Sequence, residues 1–213
     1  MKESSDELNP HIATLNAASA APKRKTLGDY VALAIATCGV GYFPIAPGTM
    51  GSLVGIGIFM LFHRWVVEAS FAFVGNEFFK QTDPWGPSLI FMWVLPLFII
   101  CLSLIGIWAA SRAERLFGRK DPSQVVIDEV VGQLVTFMFV PKLFLNLPMA
   151  VAGFVLFRAF DIVKPYPIRR VENLHGGLGI VGDDIVAGLY AGATLALVAL
   201  LAALHILPWL PQN

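Results

Sequence analysis

Charge-free apolar runs alternate with short polar segments along this chain. The longest uninterrupted run is Ser88–Ala110, and Ile185–Leu207 matches it apart from His205 near its end. Either can cross a bilayer, which takes about 20 apolar residues in a helix. Leu53–Val67 is a shorter block with His63 and Arg64 near its end. Val130–Phe157 is broken at Pro141-Lys-Leu-Phe-Leu-Asn-Leu-Pro148, which predicts a helical hairpin or two short spans instead of one helix. Tyr30–Val40 is a further apolar piece leading into a Gly/Pro loop. The pattern predicts an all-α fold, a multihelical integral membrane protein with several transmembrane or re-entrant helices. No heptad, internal repeat or low-complexity tract competes with that reading.

Composition agrees. The 213 residues are 56% hydrophobic and only 14% charged, with mean hydropathy +0.69, too apolar for an ordinary soluble domain. Fifteen basic residues balance 15 acidic ones, so charge gives a nucleic-acid partner no support. Residues 1–26 are polar, end in the basic cluster Lys23-Arg24-Lys25 and have no apolar core of a signal peptide. They predict a disordered tail with a juxtamembrane anchor, leaving 27–213 as a single membrane-embedded domain. Cys38 and Cys101 have no ligand spacing and read as bland buried thiols.

Charge placement also sets the topology. Arg112, Arg115, Arg119 and Lys120 follow the Ser88–Ala110 block, and Arg158, Lys164, Arg169 and Arg170 follow the proline-broken one. By the positive-inside rule both loops face the cytoplasm, which requires 130–157 to enter the membrane and return. The loop 38–52 then shares that face, and residues 68–87 and the C-terminus lie opposite. The carboxylates of the unusual polar motifs, which played no part in assigning sides, therefore collect at one membrane face.

Four motifs lie there. In Gly39–Ser52 (GVGYFPIAPGTMGS) the glycines, Thr49 and Ser52 suit a phosphate at a helix start, or simply a turn with Ser52 as N-cap. Asp121-Pro122-Ser123-Gln124 reads as a helix start, with Asp121 as N-cap. That helix carries Asp128 and the stripe Glu129, Gln133, Thr136. A buried ion pair explains one such carboxylate more easily than two adjacent ones. Arg158, Asp161 and Lys164 step by three before Pro165 and Pro167, either an intrahelical ion pair or a metal-binding carboxylate flanked by phosphate-binding cations. His175–Asp184 (HGGLGIVGDD) allows close backbone approach to a ligand; one aspartate of Asp183 and Asp184 would serve as a cap, and there are two. His175 reads as a loop histidine. Ionisable groups beside apolar spans are costly and mark functional sites by default.

In this order, GYFPIAPGTMGS, DPSQVVIDEVVG, FRAFDIVKPYPI and GGLGIVGDDIVAG resemble the phosphatidylglycerophosphatase A family of bacteria over roughly residues 27–195. Tyr166 stands where the family usually has tryptophan, a change without charge. The resemblance implies a multihelical, Mg²⁺-dependent hydrolase of the inner membrane, and the loop charges put its active site on the cytoplasmic face. It removes the terminal phosphate of phosphatidylglycerophosphate to give phosphatidylglycerol. The family's acidic positions map to Asp128, Glu129, Asp161, Asp183 and Asp184. The expected assignment has Asp128, Glu129, Asp161 and Asp184 catalytic, and Asp128, Glu129, Asp183 and Asp184 holding Mg²⁺. Thr49, Ser52, Arg158, Lys164 and Arg169 would bind the substrate. Carboxylates without clustered histidine or cysteine suit Mg²⁺.

Two other readings use the same acids. Another Mg²⁺-dependent phospholipid phosphotransferase, of the CDP-alcohol type, needs a longer aspartate pattern than is found here. A small cation or proton transporter would place its carboxylates at mid-span, whereas these lie near helix starts on one side.

Overall fold

The computed structural model describes residues 25–74, 86–139 and 146–206, and among them the fold is all-helical. The helices are α1 (Leu27–Thr37), α2 (Pro47–Val74), α3 (Gly86–Phe117), α4 (Ile127–Met138), α5 (Leu147–Val163), α6 (Ile168–Val171) and α7 (Gly177–Ile206). Three are long and apolar enough to cross a membrane, over Pro47–Ser70, Met92–Phe117 and Gly177–Ala202. Most of the expected tail, part of the segment 68–87 and most of the proline-marked break between α4 and α5 lie outside the described residues.

α4 is the hub. It packs on α1, α2, α3, α5 and α7, and Ile127, Asp128 and every residue from Val130 to Phe137 are buried. At 12 residues it rises about 18 Å, short of the roughly 30 Å hydrocarbon layer. α5 returns antiparallel to it: Arg158 near the end of α5 faces Glu129 near the start of α4, and Gly153 abuts the Phe137 ring. This is the helical hairpin that the proline break predicts, with α4 sheathed by the longer helices.

Glycines let the other helices approach α4. A Cβ on Gly55 would lie 2.8 Å from Gln133 Cβ, and one on Gly51 would lie 2.9 Å from the Val126 carbonyl oxygen. On α7, a Cβ at Gly188 would lie 2.4 Å from the Gly132 carbonyl oxygen, and one at Gly192 would lie 2.8 Å from that of Thr136. Such close backbone contact is how membrane helices associate without a hydrophobic driving force between them.

Three local expectations need correction. Asp121–Gln124 is a turn closed by the Val125 N–H donating to the Pro122 carbonyl, and α4 starts only at Ile127. The Val126 N–H donates to the Ala36 carbonyl at the end of α1, so docking against α1 delays the helix. α7 begins at Gly177, which puts Asp183 and Asp184 inside its second turn and neither at the cap. The glycines of 176–182 serve packing, as where a Cβ on Gly177 would lie 2.1 Å from the Ile107 carbonyl oxygen. Finally, Cys101 is exposed and Cys38 half-buried, because Cys101 lies on the outward face of α3, where lipid replaces protein as its apolar surroundings.

α1 is tied to α3 by one partly buried ion pair. Arg112 Nε donates to Asp29 Oδ1 at 2.7 Å, and Asp29 Oδ2 accepts from the Thr26 N–H and hydroxyl at 2.6 and 2.8 Å. The Thr26 N–H, the Thr26 hydroxyl and then Arg112 hold the Asp29 carboxyl down from 3.8 to about 2. A lowered folded-state value stabilises the fold above the unfolded value, and that contribution disappears as pH falls through the folded one. Asp29→Asn should therefore lower the thermal midpoint in detergent at pH 7. The difference from wild type should shrink between pH 3.8 and about 2; an offset constant across that window would contradict the assignment.

Candidate active site

The acidic cluster sits where α4 and α7 touch. Asp128 and Glu129 occupy the first turn of α4, where the helix dipole favours negative charge. Asp184 comes from α7, next to the Gly132 contact: a Cβ on Gly132 would lie 2.8 Å from the Asp184 carbonyl oxygen. This packing brings carboxylate oxygens of Asp128, Glu129 and Asp184 within 4.8 Å of one another. Asp128 and Asp184 are 8% and 3% exposed. Asp128 Oδ1, Glu129 Oε2 and Asp184 Oδ2 are buried without a hydrogen-bond partner, as are both amide atoms of Gln133 one turn below Glu129. Three like charges so close in a low-dielectric interior repel unless a cation or shared protons offset them. The donors are all oxygen, and three lone-pair-bearing atoms are unspent, so the cluster can hold a hard divalent cation.

Facing the trio is the C-terminal end of α5. Arg158 Nη1 lies 2.8 Å from Asp161 Oδ2 and 3.8 Å from Glu129 Oε1, but without an aligned hydrogen bond, so Asp161 steers the guanidinium while leaving donors to offer. Lys164, the C-cap of α5, reaches Asp183 Oδ2 at 2.6 Å and Glu172 Oε1 at 2.9 Å. Burial alone would lower the Lys164 pKa, but its bonds to Asp183 and Glu172 outweigh it and raise it, so the ammonium stays charged.

These groups border a cavity of about 300 Å³ whose floor includes Asp128, Glu129 and Asp184 and whose walls include Arg158, Asp161 and Lys164. Ala46, Pro47 and Gly48 close one side with backbone. A Cβ on Gly48 would lie 2.1 Å from Glu129 Oε1 and 3.1 Å from Arg158 Nη1, so glycine there keeps the cleft open. Three residues lining it, Ala46, Asp121 and Lys164, have φ of 49°, 45° and 46°. Left-handed backbone at non-glycine positions costs on the order of 1–3 kcal/mol each and concentrates at functional sites.

The structure thus brings together Asp128, Glu129, Asp161, Asp184, Arg158 and Lys164 from the sequence-based set. Asp183 also lines the cavity, but it pairs with Lys164 and stands apart from the carboxylate trio. The other expected residues do not join the site. Ser52 is fully buried in the body of α2, its hydroxyl donating to the Gly48 carbonyl at 3.0 Å, and it is not an N-cap. Neither Ser52 nor Thr49 lines the cavity. Arg169 is exposed on α6 and donates to the Val163 carbonyl. The sequence reading missed Asp121 as a wall residue because its N-cap role seemed sufficient. It also missed Glu172, whose pairing with Lys164 has no signature in spacing.

Three span-length helices with a carboxylate-and-guanidinium cleft at one end define a membrane-embedded enzyme for an anionic oxygen compound. The sequence profile of phosphatidylglycerophosphatase A matches residues 33–199, and the chain belongs to that family, a family of phosphatases. It is 34% identical over 160 residues to the phosphatidylglycerophosphatase A of Escherichia coli, covering 74% of this chain and 76% of that one. The Haemophilus influenzae protein of the same name is 31% identical over 156 residues, 72% of this chain and 78% of that one. A Bacteroides thetaiotaomicron protein named "Putative phosphatidylinositol-3-phosphatase" is 35% identical over 158 residues, 74% of this chain and 86% of that one. No solved structure matches the chain.

Proposed function

We propose that this protein hydrolyses the terminal phosphomonoester of phosphatidylglycerophosphate with Mg²⁺, at the cytoplasmic face of the bacterial inner membrane. The observation that carries this is the Asp128–Glu129–Asp184 cluster, with its unspent buried oxygens, across one cavity from Arg158. Asp128, Glu129 and Asp184 would hold the ion, which when bound neutralises phosphate oxygens and makes water more acidic. Arg158 offers its donors to the phosphate, oriented by Asp161. Lys164, charged and fixed by Asp183 and Glu172, adds positive potential on the same wall. Water attacks phosphorus, the phosphorus–oxygen bond to glycerol breaks, and the alcohol leaves with a proton. A carboxylate of the cluster accepts the proton lost by water and passes it to the departing glycerol oxygen. The basic residues at this end, Arg112 to Lys120 and Arg158 to Arg170, support the cytoplasmic side.

The test is inorganic phosphate release in detergent micelles from phosphatidylglycerophosphate, phosphatidylinositol 3-phosphate and phosphatidic acid. Release from the first lipid should dominate, stop with EDTA and return with Mg²⁺. Dominant release from the inositol lipid would move the substrate assignment to the activity in the Bacteroides relative's name. Undiminished release in EDTA would remove the metal.

A further inference from the structure

A second cavity, of about 330 Å³, is lined by Ile56, Phe59, Met60 and His63 of α2, Phe137 of α4, and Asn146, Leu147 and Ala150 at the start of α5. It is apolar apart from His63 and Asn146, and Asn146 Oδ1 already accepts from the Met149 N–H as the cap of α5. The same three helices, with α7, contribute to the acidic cleft. From Gly48 to Ile56, from Glu129 to Phe137 and from Arg158 back to Ala150 the displacement is eight residues in each helix. At 1.5 Å per residue the apolar cavity therefore lies about 12 Å further along one α2–α5 seam. Outward-facing Leu53 on α2 and Val151 and Val155 on α5 are exposed between the two and present an apolar flank.

Resting on the lipid-phosphatase reading, we infer that this cavity seats an acyl chain of the phospholipid substrate while its terminal phosphate occupies the acidic cleft. The lengths agree: about nine single bonds of roughly 1.5 Å separate the terminal phosphorus of such a lipid from its ester-bearing glycerol carbon, roughly 11 Å when extended. The headgroup spans the seam and the chain begins where the lining turns apolar. A chain in lipid is already in apolar surroundings, so the cavity adds no hydrophobic gain. It sets register, holding the phosphate at a fixed depth opposite Arg158. The cleft end is polar and the far end apolar, which matches the order of groups along the lipid.

Two measurements test this. The first compares kcat/KM for dioleoyl phosphatidylglycerophosphate with that for the chain-free headgroup, glycerophosphoglycerophosphate. Met60 and Leu147 are 53% and 74% exposed at the cavity rim, so Met60→Trp and Leu147→Trp can fill it without disturbing the core. Each should cut the ratio of the two values about tenfold to a hundredfold, the scale of a misplaced reacting group. Leu201→Trp, equally exposed but on α7 away from the seam, should leave the ratio as in wild type. An unchanged ratio in both rim variants would overturn the assignment. The second uses the unmodified protein and phosphatidylglycerophosphate carrying a diazirine in one acyl chain. Labelling should fall in 56–63 and 147–150 and be competed by unlabelled substrate. Even labelling of all outward-facing helices, without competition, would mean ordinary bilayer contact and overturn it too. Wild-type protein that releases no phosphate from any lipid would instead remove the phosphatase reading, a failure distinct from normal turnover with an unchanged ratio.

Discussion

Asp128→Asn is expected to lower phosphate release by roughly 10²–10³ or more, the scale on which single groups placed against developing charge act, while the protein stays folded. The substitution conserves volume and removes one of three negative charges within 4.8 Å. In chelator the variant should be at least as stable as wild type, because repulsion with Glu129 and Asp184 is relieved and the cluster has an unpartnered oxygen in Asp128 to begin with. Millimolar Mg²⁺ should raise the thermal midpoint of wild type by mass action and leave that of the variant nearly unchanged. Asp184→Asn should behave the same way, since the proposed cation site takes carboxylates from both α4 and α7. Loss of stability in chelator without loss of turnover would show the carboxylates to be structural. Near-wild-type turnover in both variants would remove the catalytic assignment.

Gly188→Val is expected to disable the enzyme from outside the cavity. The first side-chain atom would sit 2.4 Å from the Gly132 carbonyl oxygen and 3.0 Å from Val135 Cβ. The first neighbour is backbone in the middle of a buried helix, so neither partner can swing aside and α7 must move off α4. Overpacking of this kind costs typically about 1–3 kcal/mol. The displacement acts one turn from Asp184, so it should also separate Asp184 from Asp128 and weaken the cation response. The measurements are the thermal midpoint in detergent and its shift with Mg²⁺, both expected to fall together. Gly57, whose Cβ would meet nothing within 4 Å, is the control: Gly57→Ala should change neither. An effect of equal size at both positions would point to helix propensity instead of contact.

Apolar run length made the spans legible. Ser88–Ala110 lies within α3, and the run that starts at Ile185 lies in α7 up to its last residue, Ile206; the proline break in 130–157 separates the antiparallel α4 and α5. Charge asymmetry likewise anticipated that Gly48, Asp121, Asp161 and Asp184 meet at one end. Helix starts were less legible, for a common reason. Asp121-Pro122-Ser123-Gln124 carries a good capping pattern, yet the Val126–Ala36 backbone bond holds the following residues out of the helix. Gly176–Gly182 carries a loop composition, yet close packing on Ile107 favours helix from Gly177. Local propensities are worth tenths of a kcal/mol to about one per residue, and tertiary contacts override them.

The sequence by itself determined that the chain is a membrane protein, where its long helices run, and which carboxylates and cations are available. Hydropathy and charge act residue by residue and need no partner. Only the tertiary structure decided which of those groups form the site. Asp183 and Asp184 are adjacent in sequence, but successive helix positions point about 100° apart. One therefore turns to Lys164 and the other to Asp128 and Glu129. Which one joined the cluster was set by the glycine contacts that fix the rotation of α7 against α4, a property of packed surfaces and not of any single segment.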